Sequence, residues 1–139
     1  DPEERFDALT FYCHSRFKVA VALVSLVDAE RQWFKSACGL DARETSREVS
    51  FCGHTILGER VMVVPDARRD PRFFDNPLVA GPPFIRFYAG APLRLSSGHV
   101  VGTLCLIDPQ PRTLDDEEAA HLAELARLVV VELERGTVP

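Results

Sequence analysis

The segment Ser50-Phe51-Cys52-Gly53-His54 places a thiol and an imidazole two residues apart. Three kinds of chemistry suit such a pair. A structural zinc site needs four ligands; this pair supplies two, and no matching pair stands elsewhere, which argues against zinc. A reactive thiol needs a lowered pKa. Ser50 is a fitting N-cap for a short helix over 51–57, and a helix N-terminus beside Cys52 lowers its pKa. In a purely structural role, Cys52 is a small buried hydrophobe and His54 donates a hydrogen bond to a nearby loop. The other cysteines, Cys13, Cys38 and Cys105, are scattered with no CxxC pair. Free thiols in a reducing compartment fit that spacing.

Three further segments carry polar groups where a core is expected. Alternation along 84–93 puts Phe84, Arg86 and Tyr88 on one face and Ile85, Phe87, Ala89 and Ala91 on the other. A strand arginine needs an acidic partner or an anionic ligand, since an unpaired buried charge is costly. Asp66 and Asp75 are the candidate partners for Arg86. Along 100–108, Thr103, Cys105 and Ile107 share one face and Gly102, Leu104 and Leu106 the other. Small Thr103 and Cys105 suit a pocket floor and close helix packing equally. The loop 65–84 carries Phe73, Phe74, Asn76, Leu78, Phe84 and several prolines; a loop this apolar must lie over something.

The elements that must position these groups emerge from periodicity. Phe6, Leu9, Cys13 and Phe17 make one face of a helix over 4–17, with Phe11 and Tyr12 beside or outside that stripe. The β-branched run 19–28 reads as a strand covered on both faces, and 32–37 as its hairpin partner. Val61–Val64 is a third strand. Asp70-Pro71 and Asn76-Pro77 each place a capping side chain before a first-turn proline, predicting single-turn helices near 71–74 and 77–80, the second stopped by Gly81. Phe84 to Leu95 is a strand in which Pro92 requires a bulge or an edge. Ser96-Ser97-Gly98-His99 turns into a last strand, 100–108. Leu114 to Arg135 is a helix with acids in its first turns, where the helix dipole favours them. Leu122, Leu125, Ala126, Val129 and Leu133 form its core stripe. Leu128 and Val131 fall outside it, so a second helix or a second copy is expected there.

The chain of 139 residues matches one domain, read over 1–139, with 46% apolar and 27% charged residues. Its net charge of −5 disfavours nucleic acid or an anionic membrane as partner. No apolar run reaches the roughly 18–20 residues of a membrane span, and no signal peptide opens the chain; a cytoplasmic location is expected. The chain starts Asp1-Pro2 without an initiator methionine, so we expect a domain cut from a longer protein. The helix 114–135 holds seven acids against two arginines, which accounts for the whole net charge.

Five blocks in order, VALVSLVDAERQWFKSACGL (21–40), SFCGHTIL (50–57), VVPDARRDPRFFDNPLV (63–79), IRFYAGAPL (85–93) and GTLCLID (102–108), resemble a GAF domain. The resemblance is to bacterial GAF sensor modules of diguanylate cyclases, c-di-GMP phosphodiesterases and sensor histidine kinases. It implies a GAF/PAS-like α+β fold: a central antiparallel sheet of five to six strands, terminal helices on one face, and short helices and loops forming a pocket on the other. It also implies a homodimer through the terminal helices, with Phe11, Tyr12, Leu128 and Val131 as interface candidates. The pocket candidates are Phe51, Cys52, His54, Asp66, Phe73, Phe74, Asn76, Arg86, Tyr88, Thr103 and Cys105.

No catalytic constellation stands out, so the expected function is sensing a small molecule and controlling an attached output domain. Bilin-bearing relatives that transduce light carry a histidine directly after the chromophore cysteine; Cys52-Gly53-His54 departs from that. The Asn-Lys…Phe…Asp-Glu signature of cyclic-nucleotide binders is absent. No bilin, haem or zinc is expected. One competing expectation is a thiol redox sensor, or an enzyme like the free methionine sulfoxide reductases, using Cys52 with Cys38 or Cys105. The other is a structural dimerisation module with a collapsed pocket.

Overall fold

The computed structural model describes residues 2–27, 32–39, 60–82 and 84–135. Helix α1 (Pro2–Phe17) leads into strands β1 (Val21–Val27) and β2 (Gln32–Cys38). Strand β3 (Met62–Val64), a 3-10 turn (Ala67–Arg69) and the short helix α2 (Pro77–Ala80) come next. Strands β4 (Phe87–Arg94) and β5 (Val100–Asp108) and helix α3 (Asp116–Arg135) complete the order. The strands form one five-stranded sheet, β2-β1-β5-β4-β3, antiparallel throughout. The predicted helix over 51–57, with Ser50 as its cap, lies outside the described residues.

Both long helices cover one face of the sheet, as the apolar stripes require. Phe6, Cys13 and Phe17 from α1 meet Ala22, Val24, Phe87, Ala89, Leu104 and Leu106, and from α3 Leu122, Leu125, Ala126 and Val129 close the same core. Val130 is buried there too, beside the stripe expected from spacing. The dock of α1 on β2 is polar as well. The Ser36 hydroxyl donates to Asp7 Oδ1 at 2.6 Å and lies 2.9 Å from Thr10 Oγ1. Each buried hydroxyl therefore has a partner, avoiding a cost of about 1–3 kcal/mol for an unmet donor.

The termini of these helices are tied to the sheet. Lys18, at φ +55, ends α1 in the left-handed conformation that stops helices. Arg112 Nη1 donates to the Phe17 carbonyl and so satisfies one of the helix's orphan acceptors. Asp108 Oδ2 accepts the Ala20 N–H at 2.8 Å. At the start of α3, Asp115 Oδ1 accepts from Glu118 N at 2.8 Å while Glu118 Oε1 accepts from Asp115 N at 3.2 Å, a reciprocal capping box.

Two local expectations fail for backbone reasons. The segment 71–74 is a turn, not a helix: Phe73 N and Phe74 N both reach Asp70 O at 3.0 Å, and no second i→i−4 bond follows to propagate a helix. Strand β4 starts at Phe87, three residues late, because Phe84 has φ +59. That kink breaks the alternation, so Ile85 joins the core of the opposite face and not that of Phe87 and Ala89. The proline expectation holds as a locally unpaired edge. Strand β3 pairs with β4 only from Tyr88 to Gly90, so among the described residues Pro92 is paired on one side, to Thr103. The β4–β5 register also shifts between Leu93 and Arg94.

Candidate functional site

The second face of the sheet carries the candidate site. Residues paired across antiparallel strands share a face. Leu23 lies opposite Cys105 and Ser25 opposite Thr103, while Tyr88 lies opposite Ile107. This face thus mixes Leu23, Ile85 and Ile107 with four polar groups, Ser25, Tyr88, Thr103 and Cys105, each fully buried. The Thr103 hydroxyl lies 2.8 Å from Cys105 Sγ and the Tyr88 hydroxyl 3.2 Å from it. Ser25 is the polar group that sequence reasoning missed. The signal was present: alternation along Val21–Val27 puts Ser25 on the face of Leu23.

The segment 65–82 roofs one end of this face. Phe73, Leu78 and Val79 are buried against Leu23, Val64, Tyr88, Cys105 and Ile107. Asn76 works as a cap and not as a ligand group: its Oδ1 accepts the Leu78 N–H at 2.9 Å, with Pro77 in the first helical turn. Gly81 closes α2 by donating its N–H to Pro77 O at 2.9 Å. Phe74, expected to roof the site, is exposed instead, as is Phe84.

Arg86 also departs from expectation. Neither Asp66 nor Asp75 pairs with it. Its Nη1 donates to the Val79 carbonyl at 2.8 Å and to the Ile85 carbonyl at 3.2 Å, with the guanidinium 5.7 Å from the Phe84 ring centroid. The arginine pins the roof to the strand, but through carbonyl oxygens that α2 and the kink at Phe84 leave unsatisfied. Asp66 is held by its near neighbour. Arg68 Nε and Nη2 donate to its two oxygens at 3.0 and 2.7 Å, and the Arg68 N–H adds a cap at 3.1 Å. These hydrogen bonds hold the Asp66 carboxyl below the usual carboxylate value.

The structure therefore brings Tyr88, Thr103 and Cys105 together and adds Phe73 as their cover. It separates Asp66, Phe74, Asn76 and Arg86 into capping, surface and pinning roles. Phe51, Cys52 and His54 lie outside the described residues, and with them the expected Cys52 chemistry. Among the described residues no group of three or more His, Cys, Asp or Glu side chains is placed to hold a metal ion. Cys13, Cys38 and Cys105 are free thiols. Burial pushes the Cys13 thiol up to about 12, far from the reactive range.

The candidate interface residues are all at the surface. Phe11 and Tyr12 on α1 and Leu128 and Val131 on α3 are four of the six large apolar side chains exposed among the described residues. The Tyr12 hydroxyl lies 3.0 Å from His121 Nε2, with the rings edge to face. Leu128 follows His121 by two helical turns, so the Tyr12–His121 contact joins α1 to the side of α3 that carries Leu128. No helix among the described residues is long and apolar enough to cross a membrane.

Comparison with known proteins gives a consistent picture. A family model described as "GAF domain" matches residues 1–133. The chain is 47% identical over 132 residues to a cyclic di-GMP phosphodiesterase of Pseudomonas aeruginosa, covering 94% of this chain and 22% of that protein. The chain thus spans about a fifth of the length of this relative. Among solved structures, the GAF domain of an Acinetobacter phosphoenolpyruvate-protein phosphotransferase matches with a TM-score of 0.78 at 17% identity, covering 97% of this chain and 83% of that one. A free methionine-R-sulfoxide reductase from Neisseria meningitidis, solved with its substrate, matches with a TM-score of 0.78 at 20% identity, covering 99% and 82%.

Proposed function

The chain belongs to the GAF domain family, and on that premise we propose that it is a sensory module that binds a small molecule on the second face of its sheet. It acts by regulating an attached output domain and does not itself catalyse a reaction. The observation that carries this reading is the polar floor of Ser25, Tyr88, Thr103 and Cys105. Core positions filled by apolar residues cost no hydrogen-bond matching. Four buried polar groups share one face under an aromatic roof, and the Tyr88 and Thr103 hydroxyls converge on Cys105, a polar cluster that supports a ligand site on this face.

The 47% identical relative is a cyclic di-GMP phosphodiesterase, which supports a phosphodiesterase of that kind as the output. Dimerisation through α1 and α3 is the means of control: a ligand that favours one packing of the terminal helices changes the spacing of the output domains joined to them.

The test is a series of heteronuclear NMR titrations with amino acids, nucleobases, nucleoside monophosphates and cyclic dinucleotides. One class should shift the Tyr88, Thr103 and Cys105 amides saturably. Thr103→Val, which keeps the shape and removes the hydroxyl, should weaken that binding about tenfold, the loss of roughly 1.4 kcal/mol. If binding is indifferent to Thr103→Val, or every class leaves these amides unmoved, the ligand assignment is wrong.

A further inference from the structure

A second concave surface lies at the end of the sheet where β3 and β5 leave and β4 enters. It is a groove of about 760 Å3. Pro65, Pro71 and Pro111 stiffen its largely apolar walls, Arg68, Arg69 and Arg112 bring three guanidinium groups to it, and Asp66 and Asp70 bring two carboxylates, so one positive charge is in excess. Positive charge here runs against a chain of net charge −5.

Local pairing leaves one cation over. Arg68 is engaged with Asp66 at 2.7 Å, Arg72 with Asp70 at 2.7 Å, and Arg112 with Glu118 at 3.2 Å. Arg69 is exposed and has no ion pair among the described residues. A planar guanidinium fork matches the oxygens of a phosphate or carboxylate, and apolar walls suit the body that carries such a group.

We propose that this groove is a second ligand site, separate from the polar floor of the sheet. It takes a small molecule bearing a phosphate or carboxylate group, with Arg69 as its anchor and Arg112 as the residue that registers occupancy. Arg112 is placed for that role. Its Nη1 holds the last turn of α1 through Phe17 O, and its Nη2 holds the first turn of α3 through Glu118. Its backbone N–H reaches Pro65 O at 3.2 Å, and its guanidinium lies 5.5 Å from the Phe87 ring centroid. An oxyanion that recruits Arg112 competes with Glu118 for it, so both terminal helices receive the signal.

The experiment is an NMR titration of the chain with pyrophosphate and, separately, citrate, at low ionic strength to limit screening. Saturable shifts are expected at Arg68–Asp70 and Thr113, with parallel shifts at Lys18 and Glu118. Arg69→Gln should weaken binding about tenfold and retain the fold, since Arg69 gives up no ion pair. Arg112→Gln should remove the response at Lys18 and Glu118; if it fails to fold, Arg69→Gln still decides. Saturation by pyrophosphate alone or by citrate alone supports the site and names its anion. The proposal is overturned if neither anion saturates. It is equally overturned if the distant Arg127→Gln weakens binding as much as Arg69→Gln, which would mark general charge attraction.

Discussion

At the scale of single residues, burial decides which groups are available for chemistry. Cys13 is fully buried in the helix-covered core, and its thiol is pushed up from an ordinary 9.0 to about 12. Desolvation favours the neutral form, so the folded chain keeps the proton where the unfolded chain has lost it. Stability from this group is complete below about pH 9 and declines as pH rises toward about 12. The denaturation midpoint should therefore drop as pH is raised from about 8 to about 10.5, and Cys13→Ala should flatten part of that drop. Thiol reagents should leave Cys13 unmodified until the chain unfolds; equal rates in native and denatured chain would refute its burial. The same scale shows where residue type alone misleads. Arg86 needed acceptors for its guanidinium, which the sequence made clear. Carbonyl oxygens left over at Val79 and Ile85 provide them, and such acceptors are invisible to a search for nearby acids.

At the scale of elements, the central strand β5 sets the tightest constraint. Gly102 lies opposite Leu26 on one side and Leu93 on the other. A Cβ there would overlap the Ser25 carbonyl oxygen and come within 2.9 Å of Leu26 Cα. Both are backbone atoms of a paired strand, so neither can turn aside. Gly102→Ala should lower stability by about 2–4 kcal/mol, at the upper end of single substitutions, and β1 amides should lose hydrogen-exchange protection first. A melt unchanged from the parent chain would contradict the β1–β5 register.

Much of this layer was legible because strands and long helices repeat: the faces of β5, the α1 stripe and the α3 core all keep their periods. Short devices were not. The 3-10 turn at Ala67–Arg69 has no period to detect, although Asp66 stood where a cap belongs. Ile85 changes face because one residue, Phe84, takes a left-handed φ that no pattern of apolar residues announces. Three of the four polar-floor residues were visible, Thr103, Cys105 and Tyr88, with Ser25 hidden in a run that looked apolar.

At the scale of the whole molecule, the two helices that close the core also present its bare apolar surface. Phe11 is 62% exposed, Leu128 51% and Val131 49%, on elements that otherwise bury their apolar faces well. An ion pair between Arg5 and Glu132 holds α1 against α3. The Ser96 hydroxyl donates to Glu134 at 2.6 Å and ties the last turn of α3 to the β4–β5 hairpin. In the function proposed above, the apolar seam that this helix pair exposes is where a second copy packs to form a two-copy bundle. The direct measurement is sedimentation equilibrium of the chain at about 100 μM, a range that detects micromolar association, beside the double variant Leu128→Glu/Val131→Glu. The parent chain should sediment at twice the 15.5 kDa chain mass, and a variant that melts as the parent does at the single mass. A parent chain that sediments at the single mass would contradict the two-copy bundle.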